Sequence, residues 1–139
     1  MESIYIKELF KLAKKAYKKN EIPVSALLIK NNKIISKAYN KKNIYNNPML
    51  HAEILCLNKA YKKLKNWNLN GCTLYVSLEP CDMCKLIIEE SRIDQVFYIL
   101  NKGNCTNKYK KTKYEQMFDY NKNEFQILMK DFFSKIRKK

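Results

Sequence analysis

No stretch of the 139-residue chain approaches the roughly 20 consecutive apolar residues that a bilayer-crossing helix needs, so no membrane span is expected. The first residues, Met1-Glu2-Ser3-Ile4, lack the basic-then-apolar order of a secretory signal. A cytoplasmic location is the expectation, and with it reduced thiols. There is no internal repeat and no linker that would divide the chain, so a single domain over 1–139 is expected, long enough to bury a real core. Arginine is scarce: only Arg92 and Arg137 occur among 28 basic residues. Histidine is scarcer still, with His51 alone.

What is present is mostly lysine, with much isoleucine and asparagine. A hydrophobic content of 46% excludes a disordered tail, and the net charge is +15 at pH 7. A small, strongly basic domain suits a polyanion such as nucleic acid. A lysine-rich genome composition is the plainer source of the same charge. The five cysteines are an odd number. Cys81 and Cys84 have ligand spacing; Cys56, Cys72 and Cys105 read as small buried or surface thiols.

Tyr5, Leu9, Leu12, Ala13 and Ala16 recur at helical spacing between lysines, predicting an amphipathic helix over about 4–19. The proline at 23 ends it. Val24 to Ile29 predicts a strand covered on both faces, and Ile34 to Tyr39 its partner across an Asn31-Asn32 turn. Residues 40–48 read as a loop, and Leu50 to Leu64 as a helix buried along Ile54, Leu57, Tyr61 and Leu64. A strand over Thr73–Ser77, a helix from Cys81 to about Glu90 and a strand over Asp94–Ile99 predict a right-handed crossover with parallel pairing. Asn101 to Lys113 reads as a polar loop, and Tyr114 to Phe118 as a helical turn or two. Phe125 to Leu128 is either a fifth strand or the start of a last helix, with Phe132 to Lys138 helical.

Two short stretches carry the chemistry: His51-Ala52-Glu53 and Pro80-Cys81-Asp82-Met83-Cys84. One imidazole and two thiols are donors of the kind zinc takes, and three protein ligands leave a fourth position for water. Cys81 and Cys84, three apart at a helix start, present both sulfurs on one face. The helix dipole and a metal both favour thiolate there. A neutral imidazole and two thiolates balance Zn²⁺, and a bound water then ionises near pH 7. Glu53 is not needed as a ligand, so it can shuttle the water's proton to a ring nitrogen and then to a leaving amine. Singly, each residue has a plainer use: a zinc knuckle for the cysteines, a core histidine, a solvated first-turn carboxylate. A knuckle needs a fourth ligand, and Cys56, Cys72 and Cys105 form no second C-x-x-C. The H-x-E…P-C-x-x-C order points to a zinc nucleobase deaminase.

These residues resemble the cytidine/deoxycytidylate deaminase superfamily, most nearly the bacterial tRNA-specific adenosine deaminases, which convert the anticodon wobble adenosine to inosine. Glu21-Ile22-Pro23-Val24-Ser25-Ala26-Leu27 resembles the family's E-x-P-V-G-A-V, with Ser25 at the glycine position. Asn47 to Glu53 resembles D-P-T-A-H-A-E, and Thr73 to Cys81 is close to T-L-Y-V-T-L-E-P-C. Ser91-Arg92-Ile93 matches the S-R-I before the fourth strand, whereas Leu100 to Lys113 departs from the family's D-x-K-x-G-A-like segment. The resemblance implies an α/β fold: a three-layer α/β/α sandwich of the cytidine deaminase-like type, with a mixed central sheet of four to five strands. It implies one Zn²⁺ per chain on His51, Cys81 and Cys84, Glu53 as the catalytic group, and Asn40 and Ala52 as substrate contacts. It also implies a homodimer and a basic C-terminal helix at about 130–139 that meets tRNA through Phe132, Phe133, Lys135, Arg137 and Lys138.

The function expected is zinc-dependent hydrolytic deamination of the wobble adenosine in a tRNA anticodon stem-loop, releasing ammonia. The alternative is a deaminase of a free base, nucleoside or nucleotide such as guanine, cytosine, cytidine or dCMP. A zinc-stabilised RNA-binding module without catalysis is disfavoured by the intact Glu53.

Overall fold

The computed structural model describes residues 2–102, 112–117 and 122–137. Cys105, Lys138 and most of the polar 101–113 stretch lie outside them. In chain order the elements are α1 (Glu2–Lys18), β1 (Ser25–Lys30), β2 (Lys33–Tyr39), α2 (Ala52–Leu64), β3 (Thr73–Leu78), α3 (Asp82–Glu90), β4 (Gln95–Leu100), β5 (Lys113–Gln116) and α4 (Lys122–Arg137). No helix among the described residues is long and apolar enough to cross a membrane.

The strands form one mixed sheet in the order β2-β1-β3-β4-β5. β1 runs antiparallel to both β2 and β3, while β3, β4 and β5 are parallel. The β1–β2 hairpin turns at Asn31 and Asn32, both at positive φ (52° and 63°), as a two-residue turn matched to strand twist requires. β1 is apolar along its length because both of its faces are covered. Ala26 and Leu28 face a core that includes Leu57, Ala60, Cys84 and Ile88 of α2 and α3. Leu27 and Ile29 face a second core with Leu9, Ala13 and Phe125 of α1 and α4. Helices thus cover both faces of the sheet, the α/β/α sandwich expected from the sequence.

Two expectations change. Residues 113–116 form the edge strand β5, not a helical turn; Tyr114 pairs with Val96 and Gln116 with Tyr98. Of the two readings of Phe125 to Leu128 the helical one holds, and the change is in where the last helix starts: α4 begins at Lys122, ahead of the expected 130. Phe125, Met129 and Phe132 recur at helical spacing, and Phe125 and Phe132 are buried. The sheet does have its fifth strand, but earlier in the chain.

Candidate active site

The site lies where two helix starts converge. His51 is the N-cap of α2 and Cys81 the N-cap of α3. Both have extended backbone (φ −71°, ψ 155° and φ −73°, ψ 172°), and neither helix has a side-chain cap. The positive ends of both helix dipoles lie at the site, which favours negative charge there. Pro80 stands just ahead of the α3 cap, and the chain reaches it directly from the end of β3.

His51 Nδ1 lies 3.7 Å from Cys81 Sγ and 3.6 Å from Cys84 Sγ. All three donor atoms fall within 4.8 Å of one another. A tetrahedral zinc with ordinary Zn–N and Zn–S lengths separates nitrogen from sulfur by about 3.6 Å. The donor set therefore fits a metal ion in both chemistry and spacing. Among the described residues no fourth His, Cys, Asp or Glu joins the group. Cys56 is not a ligand: burial holds its thiol protonated, pushed up to about 12, and its sulfur meets Ser36 Oγ at 3.3 Å.

The two sulfurs share one negative charge. Cys81 is held down to about 3, first by a hydrogen bond from Cys84 and then, against its burial, by His51. Cys84 is pushed up by the same contact, by burial and by Glu53. A cation would ligate both sulfurs as thiolates and remove that conflict. His51 is raised, mainly by its contact with Cys81. Glu53 is raised by desolvation, being only 4% exposed. Its carboxyl also meets the Cys84 sulfur, so a proton-carrying group stands directly beside the three donors. A buried carboxyl raised towards neutrality suits a general acid–base.

A pocket of about 190 Å³ opens over this cluster, and Asn40, Ala52 and Glu53 line it. Asn40 accepts the Lys42 N–H through Oδ1 at 3.3 Å, and its own N–H donates to the Val24 carbonyl at 3.0 Å. Ala52 is fully buried in the first turn of α2. The C-terminal residues are elsewhere: no residue of α4 lines the pocket. Phe132 is 4% exposed and packs edge-to-face on Phe133, which is 40% exposed. Lys135 Nζ sits 4.3 Å from the centre of the Tyr17 ring on α1. Arg137 is the last residue of α4.

A family model described as MafB19-like deaminase matches residues 2–137. The chain belongs to this deaminase family. It is 35% identical to the tRNA-specific adenosine deaminase of Bacillus subtilis (strain 168), over 99% of this chain and 92% of that one. A solved structure from work on A-to-I editing by tRNA:A34 deaminases at the wobble position superposes with a TM-score of 0.75 at 25% identity, covering 84% of this chain and all of that one. The guanine deaminase of Bacillus subtilis superposes at 0.68 with 26% identity, over 91% and 92% of the two chains.

Three buried side chains brace the surroundings of the pocket, and their residue types do not by themselves state that role. Glu21, fully buried, accepts the N–H groups of Asn43 at 2.9 Å and Ile44 at 2.6 Å, which fastens the loop bearing Asn40. Glu79 accepts Lys85 Nζ at 3.1 Å and the Lys102 N–H at 3.2 Å, joining the thiol loop to the chain after β4. Lys85 is 1% exposed, where lysine rarely goes unpaired. Each role rests on partners from other elements, which a linear pattern does not record.

Proposed function

We propose that this deaminase converts the wobble adenosine of a tRNA anticodon to inosine by hydrolysis, with one zinc ion per chain on His51, Cys81 and Cys84. The observation that carries the substrate is the 35% identity to the Bacillus subtilis tRNA-specific adenosine deaminase over almost all of both chains. The lining of one pocket by His51, Glu53 and Cys81, with Cys84 in the same donor cluster, supports the chemistry.

Zinc in such a site supplies Lewis acidity that makes water a nucleophile near neutral pH. Glu53 takes the water's proton and delivers it to a ring nitrogen as the water oxygen bonds to C6 of the purine. Glu53 then takes the remaining proton from the new C6 hydroxyl and passes it to N6; the C6–N6 bond breaks, ammonia departs, and C6 is left as the carbonyl of inosine. Ala52 in the uncapped first turn of α2 and Asn40 across the pocket orient the ring. Because Asn40 Oδ1 is engaged by the Lys42 N–H, its amide NH₂ is the group available to a purine acceptor. An anticodon loop presents its bases unpaired, so splaying one into the pocket costs little unstacking. The exposed Phe133 ring and the basic end of α4 would add stacking and phosphate contact. Likeness to the bacterial tRNA-specific adenosine deaminase supports a cytoplasmic location, and the family resemblance supports a homodimer.

The likeness to guanine deaminase favours one other substrate, a free purine base. The test offers the purified protein an anticodon stem-loop with a wobble adenosine, and separately guanine, cytosine, cytidine and adenosine. Inosine in the stem-loop, read as an A-to-G change on sequencing, is the expected result. Ammonia from a small molecule with none from the stem-loop would overturn the tRNA assignment.

A further inference from the structure

Lys85 is the only basic side chain buried among the described residues, on a helix whose other buried side chains are Cys84 and Ile88. Taking an ammonium and a carboxylate out of water offsets most of their attraction, so a buried ion pair often stabilises less than apolar side chains of similar volume. What the Lys85–Glu79 pair contributes is the geometry it fixes. Lys85 donates its backbone N–H to the Cys81 carbonyl at 2.9 Å, in the first turn of α3. Its Nζ reaches back past the helix start to Glu79 Oε2 at 3.1 Å. Glu79 Oε1 accepts the Lys102 N–H at 3.2 Å, and the Glu79 N–H donates to the Leu100 carbonyl at 2.8 Å. The Lys85 ammonium also lies 5.2 Å from the centre of the Tyr114 ring on β5.

The Lys85 side chain thus closes Glu79-Pro80-Cys81 and the first turn of α3 into a ring, and Glu79 fastens that ring to the chain leaving β4. A helix start is ordinarily fixed by the side chain of its N-cap. The N-cap of α3 is Cys81, which makes no side-chain cap and whose sulfur belongs to the donor cluster. From this closed ring we infer that Lys85 and Glu79 are positioning residues for the metal donors. Through Glu79, Lys85 holds the turn that sets Cys81 Sγ 3.7 Å from His51 Nδ1, and keeps it in register with the pocket wall at Lys102. Neither residue is a ligand. The inference rests on the zinc site proposed above and names residues behind it that no ligand spacing announces.

The test measures zinc affinity of the full-length protein by competition with a chromophoric chelator, well below the melting temperature. It compares the parent with E79Q/K85M and with F125L. The double variant removes both charges and keeps an amide oxygen at position 79 for the Lys102 N–H, so the fold is retained while the bridge to α3 is lost. F125L loosens the core on the opposite face of the sheet, away from the donors. E79Q/K85M should bind zinc about tenfold more weakly, as happens when groups that orient metal ligands are removed. F125L should bind it as the parent does. With Co²⁺ in place of zinc, the sulfur-to-cobalt charge-transfer absorption should weaken in the double variant alone. Parent-like zinc affinity in E79Q/K85M, or an equal loss in F125L, overturns the bridge. If the double variant does not fold, E79Q alone decides. Its amide offers one oxygen where the carboxylate uses two, so zinc should again bind more weakly, and parent-like affinity overturns the bridge. A parent that binds no zinc overturns the metal assignment and the bridge with it. Inosine formation is scored separately: a zinc-binding parent that makes no inosine overturns the wobble-adenosine reading and leaves the bridge to the affinity measurements.

Discussion

Glu53 stands two residues from one metal donor and in contact with another, yet belongs to neither ligand set. Its burial raises the carboxyl towards the neutral form, and it meets the Cys84 sulfur while lining the pocket with His51 and Cys81. Glu53→Gln keeps the shape and removes the proton carrier. Turnover should fall by about 10²-fold or more, with metal content and thermal stability unchanged. A variant that turned over near the parent rate would remove Glu53 from the chemistry. A different buried charge, Lys85, is held by Glu79 at 3.1 Å with both side chains almost out of water. Lys85→Met should leave the Glu79 carboxylate buried with only the Lys102 N–H, costing about 3–5 kcal/mol. The double change with Glu79→Gln should recover part of that loss, because the two sites share one interaction. Additive losses in chemical denaturation would show that the pair is not coupled. The contrast between these residues explains what the chain discloses. His51, Glu53, Cys81 and Cys84 are legible because type and short spacing already encode their chemistry. The bracing roles of Glu21, Glu79 and Lys85 become meaningful through folded-state partners, 22 and 23 residues away for Glu21 and both 6 and 23 away for Glu79, and through burial.

At the scale of elements, the buried strands and the hairpin-linked edge β2 are legible, and the other edge strand, β5, is not. β1 and β3 are covered on both faces and read as apolar runs. β5 has a neighbour on one side only, and its Lys-Tyr-Glu-Gln sequence keeps mostly exposed side chains, so no apolar pattern marks it. α4 is only partly legible for a different reason: between Phe125 and Phe132 the run Ile127-Leu128-Met129 is a short apolar stretch that suits a strand or a helix, and only Phe125 and Phe132 of this segment are buried. Turns are made with asparagine. The chain has only two glycines, and Asn20, Asn31, Asn32 and Asn46 take positive φ in their stead. Asn46 belongs to the 40–50 loop, which carries Asn40 and closes one side of the pocket. Glu21 fastens that loop through two backbone N–H groups. Glu21→Gln would turn an NH₂ against at least one of those donors and weaken a charge-assisted pair worth about 1.5–3 kcal/mol. The loop should loosen more than the metal cluster, so KM should rise while kcat and metal content stay near the parent values. A fall in kcat at unchanged KM would assign Glu21 a different role.

For the whole molecule, the decisive feature is that the metal donors bridge elements rather than sitting on one. His51 opens α2 after the 40–50 loop, and Cys81 and Cys84 open α3 after β3. Both helices pack on the same face of the sheet, into one core. An ion held by all three residues would tie their starts together and, bound only by the folded chain, would stabilise it by mass action. With metal at about a thousand times its dissociation constant, that contribution is about 4 kcal/mol. For a domain of this size it corresponds to a melting shift on the order of 10 °C. Treatment with a zinc chelator should lower the melting temperature by about that amount. Zn²⁺ should restore it, whereas Mg²⁺, which prefers oxygen donors, should not. In a Cys81→Ser/Cys84→Ser variant, chelator and zinc should both leave the melting temperature where it is, because the donors are gone while the rest of the α2–α3 packing remains. If the parent protein were stripped of metal, as verified by elemental analysis, and melted at the same temperature as the loaded form, the ion would not be a cross-brace of this fold. A chelator effect that persisted in the double variant would place the responsible ion at other residues.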